Sequence, residues 1–236
     1  MKQPMWQLPV VLTIAALAIV LGLFNLGLIT LAGAGRAVVR YQSEDLASPQ
    51  EPLAWSFDDV ADGALADGAE ALSETRFGGW IVRAEADAPS LPNALCQTGV
   101  GEFPAIALGD AVLRDLLMTT RFKPISGRVD QAAGLIFRVQ DGGNYYILRA
   151  NALEGNVNLY KYASGRRSLI KEASTRVNSG AWQELQVQVV GNHFTGLLNG
   201  APVVEATDDD YTAGRVGLWT KADSVTCFDD VAVIPQ

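Results

Sequence analysis

A single histidine and two cysteines among 236 residues leave little material for metal or nucleophile chemistry. A zinc site needs three or four His, Cys or carboxylate ligands at short spacings, and no such grouping occurs in the sequence. A Ser-His-Asp arrangement could form only around His193. That residue follows Gly191-Asn192 at a turn, has no spaced partner, and reads as structural. Basic residues are scarce as well: 18 Lys+Arg stand against 26 Asp+Glu, a net charge of −8. Lys2, Arg36 and Arg40, with no acid, fall within residues 1–40, so the remainder carries −11. Such a body repels phosphate backbones, which excludes nucleic acid as a partner. Charged residues make up only 19% of the chain and hydrophobic ones 49%, which excludes a disordered polypeptide. Heptads and internal repeats are absent.

The longest uncharged run is Leu8 to Ala34, with Asn25 its one strongly polar interruption. As a helix its 27 residues reach about 40 Å, enough for a hydrocarbon core of about 30 Å. Residues 1–40 are therefore read as a single-pass transmembrane anchor in contact with membrane lipid. The alternative is a signal peptide cleaved near Ala32-Gly33-Ala34, but its apolar region would normally span only about 7–15 residues. Lys2 on one side and Arg36 with Arg40 on the other leave the orientation undecided by charge. Residues 41–54, polar and carrying Pro49 and Pro52, read as a tether.

Beyond the tether, short apolar runs alternate with Gly, Asn and Asp. Leu185, Val187 and Val189 interleave with Glu184, Gln186 and Gln188, the period of a half-buried strand. Asn199-Gly200 is a two-residue hairpin signal, and Asp141-Gly142-Gly143-Asn144 has the same role. Further strands are expected at Leu117–Lys123, Leu135–Gln140, Tyr145–Asn151, Asn156–Tyr162, His193–Leu198, Arg215–Thr220 and Thr226–Ile234. A short helix is expected around Val60–Leu72. The expected core faces carry Leu135, Phe137, Val139, Leu185, Val187, Val189, Val216 and Leu218. Residues 55–236 thus read as one all-β antiparallel sandwich.

Several segments go further. Trp80-Ile81-Val82, then Ala88-Pro89-Ser90-Leu91-Pro92-Asn93-Ala94-Leu95-Cys96-Gln97, Asp130 through Arg138, Asn144-Tyr145-Tyr146 with Arg149-Ala150-Asn151-Ala152, Gly217 through Ser224 and Phe228-Asp229-Asp230-Val231 occur in consistent order. Together they resemble concanavalin A-like jelly-roll domains related to the 3-keto-disaccharide hydrolase family, long labelled a domain of unknown function. The resemblance implies a jelly roll for Trp55 to Val233. It leaves activity open, because jelly rolls host lectins, hydrolases and structural modules.

Strand parity brings candidate ligand-binding residues to one surface. Arg138 is expected opposite Leu135, Phe137 and Val139, with Arg149 and Asn151 on a neighbouring strand and Trp219 and Lys221 opposite Val216 and Leu218. Aromatic, cationic and amide groups together suit a glycan; the competing reading is that the arginines pair with acids and Trp219 packs at a sheet edge. A glycosidase needs two carboxyls about 5–10 Å apart. Among Glu205, Asp208, Asp209, Asp210, Asp223, Asp229 and Asp230, Asp223 is the first catalytic candidate, since it lies in a resembling segment. Asp208 to Asp210 read as a solvated turn. No cofactor is expected; calcium is the one cation for which oxygen ligands exist, at Asp58-Asp59 and Asp229-Asp230. Cys96 and Cys227, 131 positions apart, form either a disulfide in an oxidising compartment, contributing about 4–5 kcal/mol, or two buried thiols.

The sequence therefore points to a membrane-anchored, extracytoplasmic (periplasmic) module that binds or braces and does not catalyse, as an accessory subunit beside integral membrane protein partners. A carbohydrate-binding module and a glycoside-cleaving enzyme of the 3-keto-disaccharide hydrolase type are the alternatives.

Overall fold

Period-two burial organises the chain into strands whose apolar rows face one another across two sheets. The computed structural model describes residues 50–236. The expected anchor, 1–40, and most of the expected tether lie outside the described residues, among which no helix is long and apolar enough to cross a membrane. One sheet runs edge to edge as β13 (Ala201–Thr207), β12 (His193–Leu198), β11 (Gln183–Val190), β6 (Leu116–Ser126), β15 (Val225–Pro235), β4 (Asn93–Gln97) and β3 (Trp80–Ala84). An eighth strand, β1 (Leu53–Trp55), pairs with β15 and so draws the end of the expected tether into the sheet. The other sheet runs β10 (Arg166–Ser174), β9 (Asn156–Ala163), β8 (Asn144–Asn151), β7 (Ala132–Asp141), β14 (Gly214–Trp219), β5 (Ala105–Leu113) and β2 (Ala69–Ala71). All the strand pairs are antiparallel. The expected helix around Val60–Leu72 is absent: the stretch forms turns and then β2, with positive φ at Gly63 and Gly68 breaking any helical run.

On β11 the three alternating valine and leucine positions are buried while Glu184, Gln186 and Gln188 are more exposed. Asn199 and Gly200 turn between β12 and β13 with φ of 50° and 76°, the signs a type I′ hairpin requires. The main core lies between the sheets and gathers Leu135, Phe137, Leu185, Val187, Val189, Val216 and Leu218 with Phe122, Phe194 and Phe228.

Val139 departs from the expectation. Arg138 adopts φ 50°, and the pairing of β7 with both β8 and β14 shifts register around it. This bulge inserts one residue into the alternation. Val139 is thereby moved to the outer face of the seven-stranded sheet, where it packs with Ile136, Tyr145, Ile147, Tyr160 and Trp219. That outer face is itself covered: all but the last two residues of β7, and all but the first of β8, are buried. Both faces of these central strands are therefore excluded from water, which prepares a site of buried polar groups.

Cys96 and Cys227 are direct register partners on β4 and β15 and are joined in a disulfide, with Cα atoms 4.0 Å apart. The disulfide packs on Ala94, Ile125 and Trp182.

Candidate functional site

The outer face of the seven-stranded sheet collects four of the five expected ligand-binding residues. Trp219 pairs with Gly134, Gly134 with Arg149, and Arg149 with Asn158, so the four form one row across β14, β7, β8 and β9. Gly134 makes the row possible. A Cβ there would sit 3.2 Å from the Cβ and Cε3 of Trp219, so the missing side chain lets indole and guanidinium lie on either side of it. Asn151 occupies the next row with Ala132 and Asn156. Lys221 lies two residues beyond the end of β14.

Ion pairs and hydrogen bonds lock this set together. Lys221 Nζ lies 2.8 Å from Asp130, whose other oxygen accepts a 2.6 Å hydrogen bond from Asn151. Arg149 Nη2 donates to Glu154 at 2.6 Å and to Asn156 at 2.7 Å, with its guanidinium 5.2 Å from the Tyr160 ring. Arg149, Asn151 and Asp130 are almost wholly buried, whereas Glu154 and Lys221 keep solvent contact. Burial pushes the Glu154 carboxyl up, but hydrogen bonds from Arg149 and Asn156 outweigh it and hold the group below its ordinary value.

Sequence reasoning missed Arg167, on edge strand β10. Its side chain reaches across the sheet so that its guanidinium lies 4.5 Å from the Tyr160 ring, 4.9 Å from Phe103 and 5.7 Å from Trp219. Phe103 in turn stacks on Trp219 at 5.7 Å and meets Tyr162 edge-on at 5.5 Å. Trp219 is therefore a buried floor and no open stacking platform. Asp130 could have been found from the sequence, since it opens one of the resembling segments. Arg167, in a Gly165-Arg166-Arg167 turn-like run, and Phe103 carry no local signal, because only the sheet order brings β10 and the segment before β5 to this face.

Arg138 does not join the set. The bulge turns it away from the outer face, and its buried guanidinium donates to the carbonyls of Arg114, Tyr211 and Gly191 and lies 5.4 Å from the Phe194 ring of the opposite sheet. It ties strand ends together and lines a shallow depression of about 280 Å³ with Asp115, Asn192 and Asp209. A second depression, of about 420 Å³, lies between Lys171-Glu172 and Pro202–Glu205. Neither touches the row of Trp219 and Arg149.

Asp223 is poorly suited to donating a proton as a general acid. Its carboxylate accepts the backbone N–H groups of Arg128, Val129 and Asp130 at 2.7–3.1 Å. Burial raises its pKa, but these three donors prevail and lower it, so the group stays ionised where a general acid must hold a proton. What it does is fix the loop that presents Asp130. The expected solvated turn is also partly tied down: Asp208 accepts from the Tyr146 hydroxyl and pairs with Lys161 at 2.8 Å. The first and last strands do meet, but the Asp229 carboxylate and one oxygen of Asp58, two of the four groups proposed for calcium, are already engaged. Asp229 accepts from Ser90 N and Oγ and from Asp230 N, and Asp58 Oδ1 accepts from Asn93 N. Among the described residues one group of potential metal ligands converges, Glu85 with Cys96 and Cys227, and its sulfurs are spent in the disulfide. His193 is exposed at the start of β12.

No protein-family model and no curated protein matches the chain. Its fold is shared with several solved structures. A carbohydrate binding module, CBM66 from Bacillus subtilis, matches with a TM-score of 0.57 and 21% identity over 70% of this chain and 93% of that one. The GH43 protein BlXynB from Bacillus licheniformis matches at 0.55 and 12%, over 78% of this chain and 39% of that one. A prokaryotic β-1,3-1,4-glucanase (lichenase) from a mouse hindgut metagenome matches at 0.52 and 14%, over 78% and 99%. At these identities the likeness shows the antiparallel β-sandwich fold alone.

Proposed function

We propose that this domain is a non-catalytic carbohydrate-binding module whose ligand seats on the outer face of the seven-stranded sheet, at the end where β14, β8 and the loop before β7 meet. The observation that carries the reading is the convergence there of Arg149, Asn151, Lys221, Asp130 and Glu154 over an aromatic floor of Trp219, Tyr160 and Phe103. Lys221 and Glu154, which keep solvent contact, offer a donor and an acceptor to sugar hydroxyls, and the buried Arg149, Asn151 and Asp130 hold them in place, which lowers the ordering cost on binding. Val129 and Leu153, exposed on the loops flanking Asp130 and Asn151, add apolar surface for the carbon face of a ring. Two of the proteins that share the fold, a carbohydrate binding module and a β-1,3-1,4-glucanase, agree with sugars as the ligand class. Engagement of each site carboxylate by a cation or amide supports binding over hydrolysis of the 3-keto-disaccharide type.

The uncharged run Leu8–Ala34 and the disulfide support an extracytoplasmic module on a single membrane anchor, placed beside membrane proteins that it serves as an accessory subunit. Titration of the detergent-solubilised full-length chain with a glycan panel tests the binding site. Lys221→Ala is expected to weaken the best ligand by roughly 5- to 50-fold, the loss of one charge-assisted hydrogen bond and of the tether on Asp130. Failure of every glycan to bind, or undiminished binding by the variant, contradicts the assignment.

A further inference from the structure

Resting on that reading, we infer that the preferred ligand is an acidic glycan, and that Arg167 reads its anionic oxygens, carboxylate or sulfate. Three cations meet at the face, Arg149, Arg167 and Lys221, and two carboxylates, Asp130 and Glu154. Glu154 holds Arg149 and Asp130 holds Lys221, at 2.6 and 2.8 Å. Arg167 makes no ion pair among the described residues; it rests instead against the three aromatic rings, and its Nη1 has no hydrogen-bond partner there. Arg167 is thus the one cation of the three with no carboxylate partner among the described residues.

The aromatic contacts also bear on the ligand. The guanidinium occupies the place over Tyr160 and Trp219 that the carbon face of a neutral sugar would take. Arg167 as a whole keeps partial exposure although its Nη1 is shielded, and no acceptor among the described residues engages its guanidinium. A guanidinium so placed matches the paired oxygens of a carboxylate or sulfate, and stacking keeps its plane fixed while it does so. Burial, and after it the like charge of Arg149, lower the pKa of Arg167 against the opposing pull of Tyr160, Asp130 and Glu154, a cost that a ligand anion relieves.

Four polymers in two matched pairs test the inference on the full-length chain: polygalacturonate against its carboxyl-reduced form, and dextran sulfate against dextran. The expected result is that one acidic member binds at least about tenfold more tightly than its neutral twin, with an affinity that falls as salt rises. The pair that shows the difference identifies carboxylate or sulfate as the group read. Arg167→Gln should remove most of that preference, so that each acidic polymer binds no more tightly than its neutral twin, and Arg167→Lys, which keeps the charge but not the fork, should restore part of it. Circular dichroism of both variants checks that the fold persists. Equal binding within both pairs, or an acidic preference unchanged in Arg167→Gln, overturns the inference while leaving glycan binding standing. Absence of binding to these four and to every neutral glycan in the panel overturns both.

Discussion

At the scale of single residues, four side chains show where reading by strand parity succeeds and where it fails. Arg149, Asn151 and Trp219 lie on the expected face because β8 and β14 keep strict alternation there. Arg138 does not, because one residue with positive φ puts a bulge into β7, and nothing in the string Ile136-Phe137-Arg138-Val139 announces it. Asp223 is the instructive case for chemistry. Its position in a resembling segment draws attention to the right loop, yet its role is to hold backbone amides so that Asp130 can meet Lys221 and Asn151. Because its folded pKa is depressed, its stabilisation is present above the ordinary value of 3.8 and is lost as pH falls through the lower folded value. Asp223→Asn should therefore cost on the order of 1–2 kcal/mol in urea unfolding at neutral pH. That difference from the parent should shrink as pH falls from the ordinary carboxylate value of 3.8 through the lower folded value. A penalty that is unchanged in acid would show that geometry, and no charge, is what the carboxylate supplies.

At the scale of elements, hairpins and half-buried strands were legible because their signals are local. Asn199-Gly200 names its turn, and β12 runs over His193–Leu198 as its pattern indicates. The central strands of the seven-stranded sheet were legible as strands but not as a site. Burial on both faces removes the alternation that distinguishes inside from outside, and the partners across β10, β9 and β8 are set by sheet order. The pairing of β4 with β15 likewise makes a covalent link of two cysteines that the sequence leaves open. Closing a loop of 131 positions removes much freedom from the unfolded chain. Cys96→Ala with Cys227→Ala should lower unfolding stability by about 2–5 kcal/mol. Unchanged denaturation midpoints in the double variant would mean that the bond adds nothing to the folded domain.

At the scale of the whole molecule, two antiparallel sheets divide the work. The apolar rows between them supply the core, at about 1.5–3 kcal/mol for each fully buried large side chain. The eight-stranded sheet carries the disulfide, and the seven-stranded sheet turns a second, polar and aromatic layer outward. The sandwich was readable from turn spacing and motif order. The ligand face was readable only in part, since half of its groups come from segments distant in the chain. Amide hydrogen exchange of the full-length protein, with and without the tightest glycan, tests the central claim most directly. Slowed exchange is expected only at residues 127–133, 149–156, 165–168 and 219–223. Protection centred instead on Trp182 and Lys123 of the other sheet, or around Arg114 and Asp209, would contradict it.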